Sequence, residues 1–337
     1  MRGGCIRADG EHRCGRGEGR VKHLETRGPR EMLKRGMGSA SQNMPLRIVS
    51  IGGGTGLSTL LRGLKRYVKA GDGILNITAV VTVTDDGGSS GRLRREFDVL
   101  PPGDIRNCMV ALSEDENLLS RLFQYRFSSG RGLKGHSFGN LFLTAMTHLT
   151  GDFTHAIRCS AEVLAVLGNI YPSTGANVAL EAIANADLIT LGPGSLFTSV
   201  IPNLLVAGIP EAIAASKAYK AYFMNLMSQP GETTNFRASD HVEAIYRHAK
   251  LPMLDVCVLN TRAMSGKVLD RYRASAARPV ENDVENLERL GLKVIATDLL
   301  RMSGNRMQEK IRHDSSVIGA IAFELAQKGH KRKSKKR

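Results

Sequence analysis

The sequence has no apolar run long enough to cross a bilayer. Its opening stretch, MRGGCIRADGEHRCGRGEGR, lacks the apolar centre of a secretory signal, so a cytoplasmic chain without a membrane span is expected. Cysteine is scarce. The five present (Cys5, Cys14, Cys108, Cys159, Cys257) are odd in number, scattered, and form no C-x-x-C, which argues against a disulfide framework and against structural zinc. No G-K-[ST] follows the glycine-rich stretch, so there is no Walker A loop. No H-E-x-x-H and no Ser–His–Asp spacing is present, and no hydrolase chemistry can be assigned.

Charge is abundant but uneven. The net +15 would suit nucleic acid, yet residues 1–44 hold 10 Lys/Arg against 5 Asp/Glu, and the tail KGHKRKSKKR (328–337) holds seven basic residues and no acid. That leaves about +3 on residues 45–327, an ordinary value for an enzyme-sized domain. Both ends are therefore expected to be disordered, solvated appendages of one α/β domain, and no specific nucleic-acid partner is expected. Weak, salt-sensitive contact of the tail with RNA or an anionic surface is the lesser reading.

From Leu46 the pattern becomes regular. LRIVSIGGGTGLSTLLRGLKRYV reads as a buried strand, a glycine turn and an amphipathic helix with Leu57, Leu60, Leu61 and Leu64 on one face. LNITAVVTVTDD reads as a second strand, and DIRNCMVALS as a helix with Asp104 at its N-cap. ADLITLG, AYFMNLM, LDVCVLN and LKVIATD are further apolar strands with helical stretches between most of them. That alternation predicts a doubly wound, Rossmann-like parallel sheet with helices on both faces.

Ligands of such sheets lie beyond the carboxyl ends of the strands. Four predicted strand ends carry suitable groups: Gly52, Gly53, Gly54, Thr55 and Gly56; then Asp85 to Arg92; then Gly192, Gly194 and Ser195; then Asn225. Glycines let backbone N–H groups approach an anion, and a helix start adds favourable partial charge. Asp85 and Asp86 suit a ribose hydroxyl or a Mg²⁺, while Gly87, Gly88, Ser89, Ser90 and Arg92 offer donors to phosphate oxygens. Arg106 and Asn107 follow a rigid PPGD turn, and His136, Ser137 and Asn140 stand where another helix begins. The glycine pattern is not a clean dinucleotide fingerprint, because Leu57 holds the third glycine position; an NAD(P)-dependent oxidoreductase is the weakest reading. The residues alone thus predict a diphosphate-containing ligand across the strand ends.

The combination resembles the gluconeogenesis factor (YvcK-like) branch of the CofD-like, UPF0052 superfamily. IGGGTGLSTLLRGLK, VTVTDDGGSSGRLRREF, LPPGDIRNCMVALS, LKGHSFGNLFLTA, ADLITLGPGSLFTSVIPNLLV, MSQPGETTNFRASDHVEAI and RHDSSVI carry the resemblance, in family order. It implies a bacterial, cytoplasmic regulator that binds a UDP-sugar such as UDP-GlcNAc. No cofactor is required, though Mg²⁺ could accompany the diphosphate. The regulator would serve cell shape and growth on gluconeogenic carbon, with enzymes of peptidoglycan-precursor supply as partners and a homo-oligomer as an open alternative. By the same resemblance Tyr272 and Arg312 touch the UDP-sugar. The sister branch contains 2-phospho-L-lactate transferases, which supply the enzymatic alternative. Members usually carry several tens of residues more, rich in short strands, where Thr174 here runs almost directly into GANVALEAIANADLI.

Overall fold

A computed structural model describes residues 45–69, 74–114, 118–264, 266–301 and 311–335, and the expected N-terminal extension, residues 1–44, lies outside them. Seven strands form one sheet: β1 (Leu46–Gly52), β2 (Leu75–Val81), β3 (Asn169–Pro172), β4 (Leu188–Leu191), β5 (Tyr219–Phe223), β6 (Val256–Asn260) and β7 (Lys293–Thr297). They lie in the order β3-β2-β1-β4-β5-β6-β7, every neighbouring pair parallel. The strand order reverses between β1 and β4, the switch point at which such sheets leave a crevice.

The helices are α1 (Gly54–Lys69), α2 (Gly88–Phe97), α3 (Gly103–Leu112), α4 (Leu118–Gln124), α5 (Phe138–Thr150), α6 (Phe153–Val163) and α7 (Ala176–Asn185). They continue with α8 (Ile201–Leu204), α9 (Ile209–Ala215), α10 (Ala238–Ala249), α11 (Gly266–Arg273), α12 (Val284–Arg289) and α13 (Ser315–Ser334). Successive strand residues point to opposite faces, so Ile48 joins one core and Val49 the other. On the first face Leu57, Leu60, Leu61 and Leu64 of α1 pack with Ile105 of α3 and Ile318 and Ile321 of α13. On the second, Ile183, Ile213, Ile245 and Leu287 of α7, α9, α10 and α12 cover Ile51, Ile189 and Tyr222. Among the described residues no single helix is long and apolar enough to cross a membrane.

Helices α1 and α13 cross at glycines. A Cβ on Gly63 would fall 1.9 Å from the Ser315 carbonyl oxygen, and one on Gly319 2.8 Å from the Gly63 Cα. The absence of both lets Tyr67 stack on Phe323 at 4.3 Å between ring centroids. Asp314 caps α13, accepting from the backbone N–H groups of Ser316 at 2.8 Å and Val317 at 3.2 Å.

Three expectations change. The second strand stops at Val81 rather than continuing to the aspartates, and Asp104 is not an N-cap: Pro102 holds that place and Asp104 lies in the first turn. The basic tail is no appendage as far as residue 334, because α13 runs through it. Leu325, Ala326 and Gly329 extend the buried face of the helix. A Cβ on Gly329 would sit 1.8 Å from the Asp187 carbonyl oxygen, so the helix end tucks under β4 and β5. Arg332 then donates to Asp255 at 2.8 Å, and Lys333 to Asp187 at 3.0 Å, with His330 3.3 Å from the same carboxylate. Lys333 also donates to the carbonyls of Asn185 and Ala186 at the end of α7, where a cation complements the helix dipole.

Truncation after Gln327 would leave Asp187, whose side chain is 4% exposed, without Lys333 or His330. Its remaining partner is the Arg47 backbone N–H at 2.9 Å. We expect the truncated chain to lose roughly 1–3 kcal/mol in urea unfolding. An unchanged midpoint and slope would mean that the helix end is dispensable.

Candidate functional site

The four strand ends singled out from sequence belong to β2, β1, β4 and β5, which are adjacent in the sheet. Their turns meet by close backbone packing. A Cβ on Gly56 would fall 2.2 Å from the Pro193 carbonyl oxygen, locking the β1 turn against the β4 turn. A Cβ on Gly53 would fall 2.5 Å from both an Asp104 carboxyl oxygen and the Thr82 methyl. Gly54 takes a positive φ of 64°, and its N–H donates to Asp104. The glycine turn therefore turns one of its helix-start donors to a carboxylate of its own chain. Gly52 lies against Gly192, and Thr55 starts α1 with its carbonyl accepting from Ser58 and Thr59.

The phosphate-type donors gather beside that turn. A cavity of about 370 Å³ is lined by Asp85, Gly87, Gly88, Ser89 and Ser90 at the start of α2, by Gly103 and Arg106 at the start of α3, and by Arg126 and Asn140. Ser90 Oγ accepts from Asn140 Nδ2 at 3.1 Å, and Ser89 Oγ stands 3.0 Å from His136 Nδ1. Arg106 donates to Ser137 Oγ at 2.5 Å, to Asn140 Oδ1 at 3.0 Å and to Asn107 Oδ1 at 2.8 Å. Its Nε is buried without a hydrogen-bond partner. Burial first, and then the neighbouring Arg126, hold the Arg106 guanidinium below its usual pKa. Two like charges facing one space beside a helix start favour an anion between them.

The carboxylates divide differently from the sequence expectation. Asp86 turns outward and pairs with Arg94, whereas Asp85 turns inward and accepts from the Gly87 N–H at 3.0 Å. The inward partner of Asp85 is Asp104, 8% exposed, whose pKa is pushed up to about 6 by burial first and by Asp85 in part. A Cβ on Gly103 would fall 2.3 Å from Asp85 Oδ2 and 2.5 Å from Ser90 Oγ, so these groups converge on a bare backbone. Asp85, Asp104 and the Ser90 hydroxyl would be the ligands for a Mg²⁺ that also held phosphate oxygens, an ion that needs few carboxylates. Among the described residues no cluster of three or more His, Cys, Asp or Glu suited to a metal occurs.

The remaining predicted residues fall outside this cavity. Arg92 donates to the Lys134 carbonyl at 2.9 Å, and His136 is buried, its pKa lowered chiefly by burial. Asn225 Oδ1 accepts from the Gly194 N–H at 3.2 Å, and Ser195 donates to Glu232 at 2.7 Å. Asn225 also lines a second, smaller cavity of about 200 Å³ with Asn260, Arg262 and Asn282 at the ends of β5 and β6. Tyr272 and Arg312 do not line that cavity; the Tyr272 hydroxyl accepts from the Ile311 N–H at 2.9 Å, next to Arg312 in the chain. Beside exposed Arg312, His313 binds the Met224 carbonyl past the end of β5 at 3.1 Å. Arg126, Gly103 and the inward role of Asp104 escaped sequence reasoning. The PPGD turn could have signalled Gly103 and Asp104, whereas nothing around Arg126 marks it.

Comparisons with known proteins follow this geometry. The chain matches the family described as 2-phospho-L-lactate transferase CofD over residues 48–182 and 174–300, two pieces that meet where Thr174 runs into α7. The gluconeogenesis factor of Bacillus subtilis is 40% identical over 319 residues, covering 83% of this chain and 98% of that protein. A relative in Nostoc sp. is 46% identical over 295 residues, 75% of this chain, and the match spans 63% of the Nostoc protein's length. A crystal structure of a UPF0052-family protein from Bacillus halodurans superposes with a TM-score of 0.77 at 41% identity, covering 83% of this chain and all of that one.

The Asp104 carboxyl offers a direct test of this geometry. Its folded pKa is raised, so the stability carried by its protonated form is complete below about pH 4 and lost as pH rises through about 6. Asp104→Asn keeps an oxygen for the Gly54 N–H and removes the titration. Relative to the parent, the variant should gain on the order of 3 kcal/mol between pH 4 and pH 7 in urea unfolding. Parallel stability–pH curves for the two proteins would show that Asp104 does not titrate there.

Proposed function

This chain belongs to the 2-phospho-L-lactate transferase CofD family, alongside its gluconeogenesis factors, and we propose that it is a UDP-sugar-binding regulator. UDP-GlcNAc is the proposed ligand, with its diphosphate in the 370 Å³ cavity. The observation that carries this reading is the pair Arg106 and Arg126 facing one space, with Nε of Arg106 buried and unpartnered. A dianion between them would relieve their repulsion and add charge-assisted hydrogen bonds. Ser89, Ser90 and the backbone at Gly87 and Gly88 would supply the remaining donors. Uridine or sugar would extend toward the β5 side, where Asn225, Tyr272 and Arg312 stand. In the cell the proposed role is control of peptidoglycan-precursor supply, and through it of cell shape and growth on gluconeogenic carbon, in the cytoplasm.

One observation favours a second reading. Asp85 and Asp104 beside the phosphate donors would suit a Mg²⁺ in a transferase acting on a nucleotide-diphosphate-linked donor. Mg²⁺-dependent product formation would select it over the regulator.

Calorimetric titration with UDP-GlcNAc tests the proposal. Arg126 is exposed, so Arg126→Ala should leave melting unchanged while weakening binding about 10- to 150-fold, the loss of one charge-assisted bond. A similar loss in Arg312→Ala would carry the ligand to the β5 side, and an affinity within about twofold of the parent would remove Arg312 from the site. A parent that binds GDP or NAD(P) but not UDP-GlcNAc overturns the reading.

A further inference from the structure

We propose that the pole of the sheet opposite the candidate site binds the phosphate backbone of double-stranded nucleic acid without reading its sequence. Helix α13 begins beside the β5 end, where His313 meets Met224, and ends under the starts of β4, β5 and β6. Its last turns bring a run of cations to that pole on a fixed scaffold rather than on a loose tail.

Among the described residues, the acids at the starts of β4 and β6 are already matched. Asp187 is paired with Lys333 and His330, and Asp255 with Arg332, which also lies 6.0 Å over the Tyr219 ring. The exposed lysines beside those pairs are not engaged by either acid. Lys331 of α13, Lys335 just past its end and Lys217 just before β5 are exposed, and among the described residues neither Arg47 nor Lys217 pairs with a carboxylate. Arg47, Lys217, His330 and Lys333 border one open cleft of about 450 Å³ around Asp187. The pole thus combines a cation-lined cleft with outward lysines beside it.

The fold chooses between two kinds of anionic partner. A helix that lies on a membrane needs an apolar face beside its cations. The apolar residues of α13, Ile318, Ile321, Leu325 and Ala326, are spent on the protein core, and its exposed side near the end offers lysines and Ser334 with no apolar residue. A phosphate backbone needs only such charges, spaced on a rigid support. The resulting contact is sequence-independent, in keeping with the lack of any recognised nucleic-acid motif.

The test uses the full chain and fluorescence anisotropy with labelled mixed-sequence duplex DNA and, separately, duplex RNA. Binding should weaken steeply between about 50 and 200 mM salt. The triple variant Lys217→Ala, Lys331→Ala, Lys335→Ala removes exposed side chains only and should melt with the parent. Its log–log salt slope on duplex DNA should be flatter by roughly 2–3, the counterions of three lost phosphate contacts. An unchanged slope would place any binding elsewhere, residues 1–44 included, and overturns the proposal. So does failure of the parent to bind either duplex at low salt, or capture by phosphatidylserine vesicles in preference to both duplexes. None of these outcomes depends on UDP-sugar binding at the other pole.

Discussion

No side chain fits at Gly53 or Gly56, and the arrangement of the strand ends rests on that exclusion. With only hydrogen at Gly56, the β1 turn lies directly on the Pro193 carbonyl of the β4 turn. With only hydrogen at Gly53, the Asp104 carboxyl and the Thr82 methyl close over the turn from the β2 side. The glycines thus act first as spacers. They fix how near α3 comes to β1, which decides where Arg106 and Asp85 stand.

That closeness has an electrostatic cost. Asp104 is buried beside Asp85, and Arg106 beside Arg126, and the attraction of Arg106 to both carboxylates offsets only part of that repulsion and burial. Like charges gathered in two adjacent groups are better matched by something external that carries both: phosphate oxygens for the arginines and a cation for the aspartates.

Much of this was legible in the sequence, for identifiable reasons. The run Arg47–Ile51, the glycines and the leucines at helical spacing dictate strand, turn and helix with little competition. A parallel sheet then forces all strand ends to one side, so Gly52, Asp85, Gly192 and Asn225 could be grouped without knowing the strand order. The failures are equally specific. Asp85 and Asp86 diverge because the chain turns there into α2, and adjacent side chains on a turning backbone do not share a direction. Arg126 reaches the cavity through tertiary packing alone. The end of α13 was masked by its charge: KGHKRKS reads as solvent-loving, while its placement is decided by Gly329 and by two carboxylates distant in sequence.

The crossing of Gly63 and Gly319 bears on how the protein comes to be made. Helix α1 is the first helix of the described chain and α13 the last, yet each covers the other's share of one core. Contacts that distant in sequence form late and slowly. During synthesis α1 and the central strands emerge with their apolar face open, and nothing made before Ser315 can take the place of α13. A ribosome must reach α13 before that face is sealed, which makes the unfinished polypeptide a natural client for chaperones.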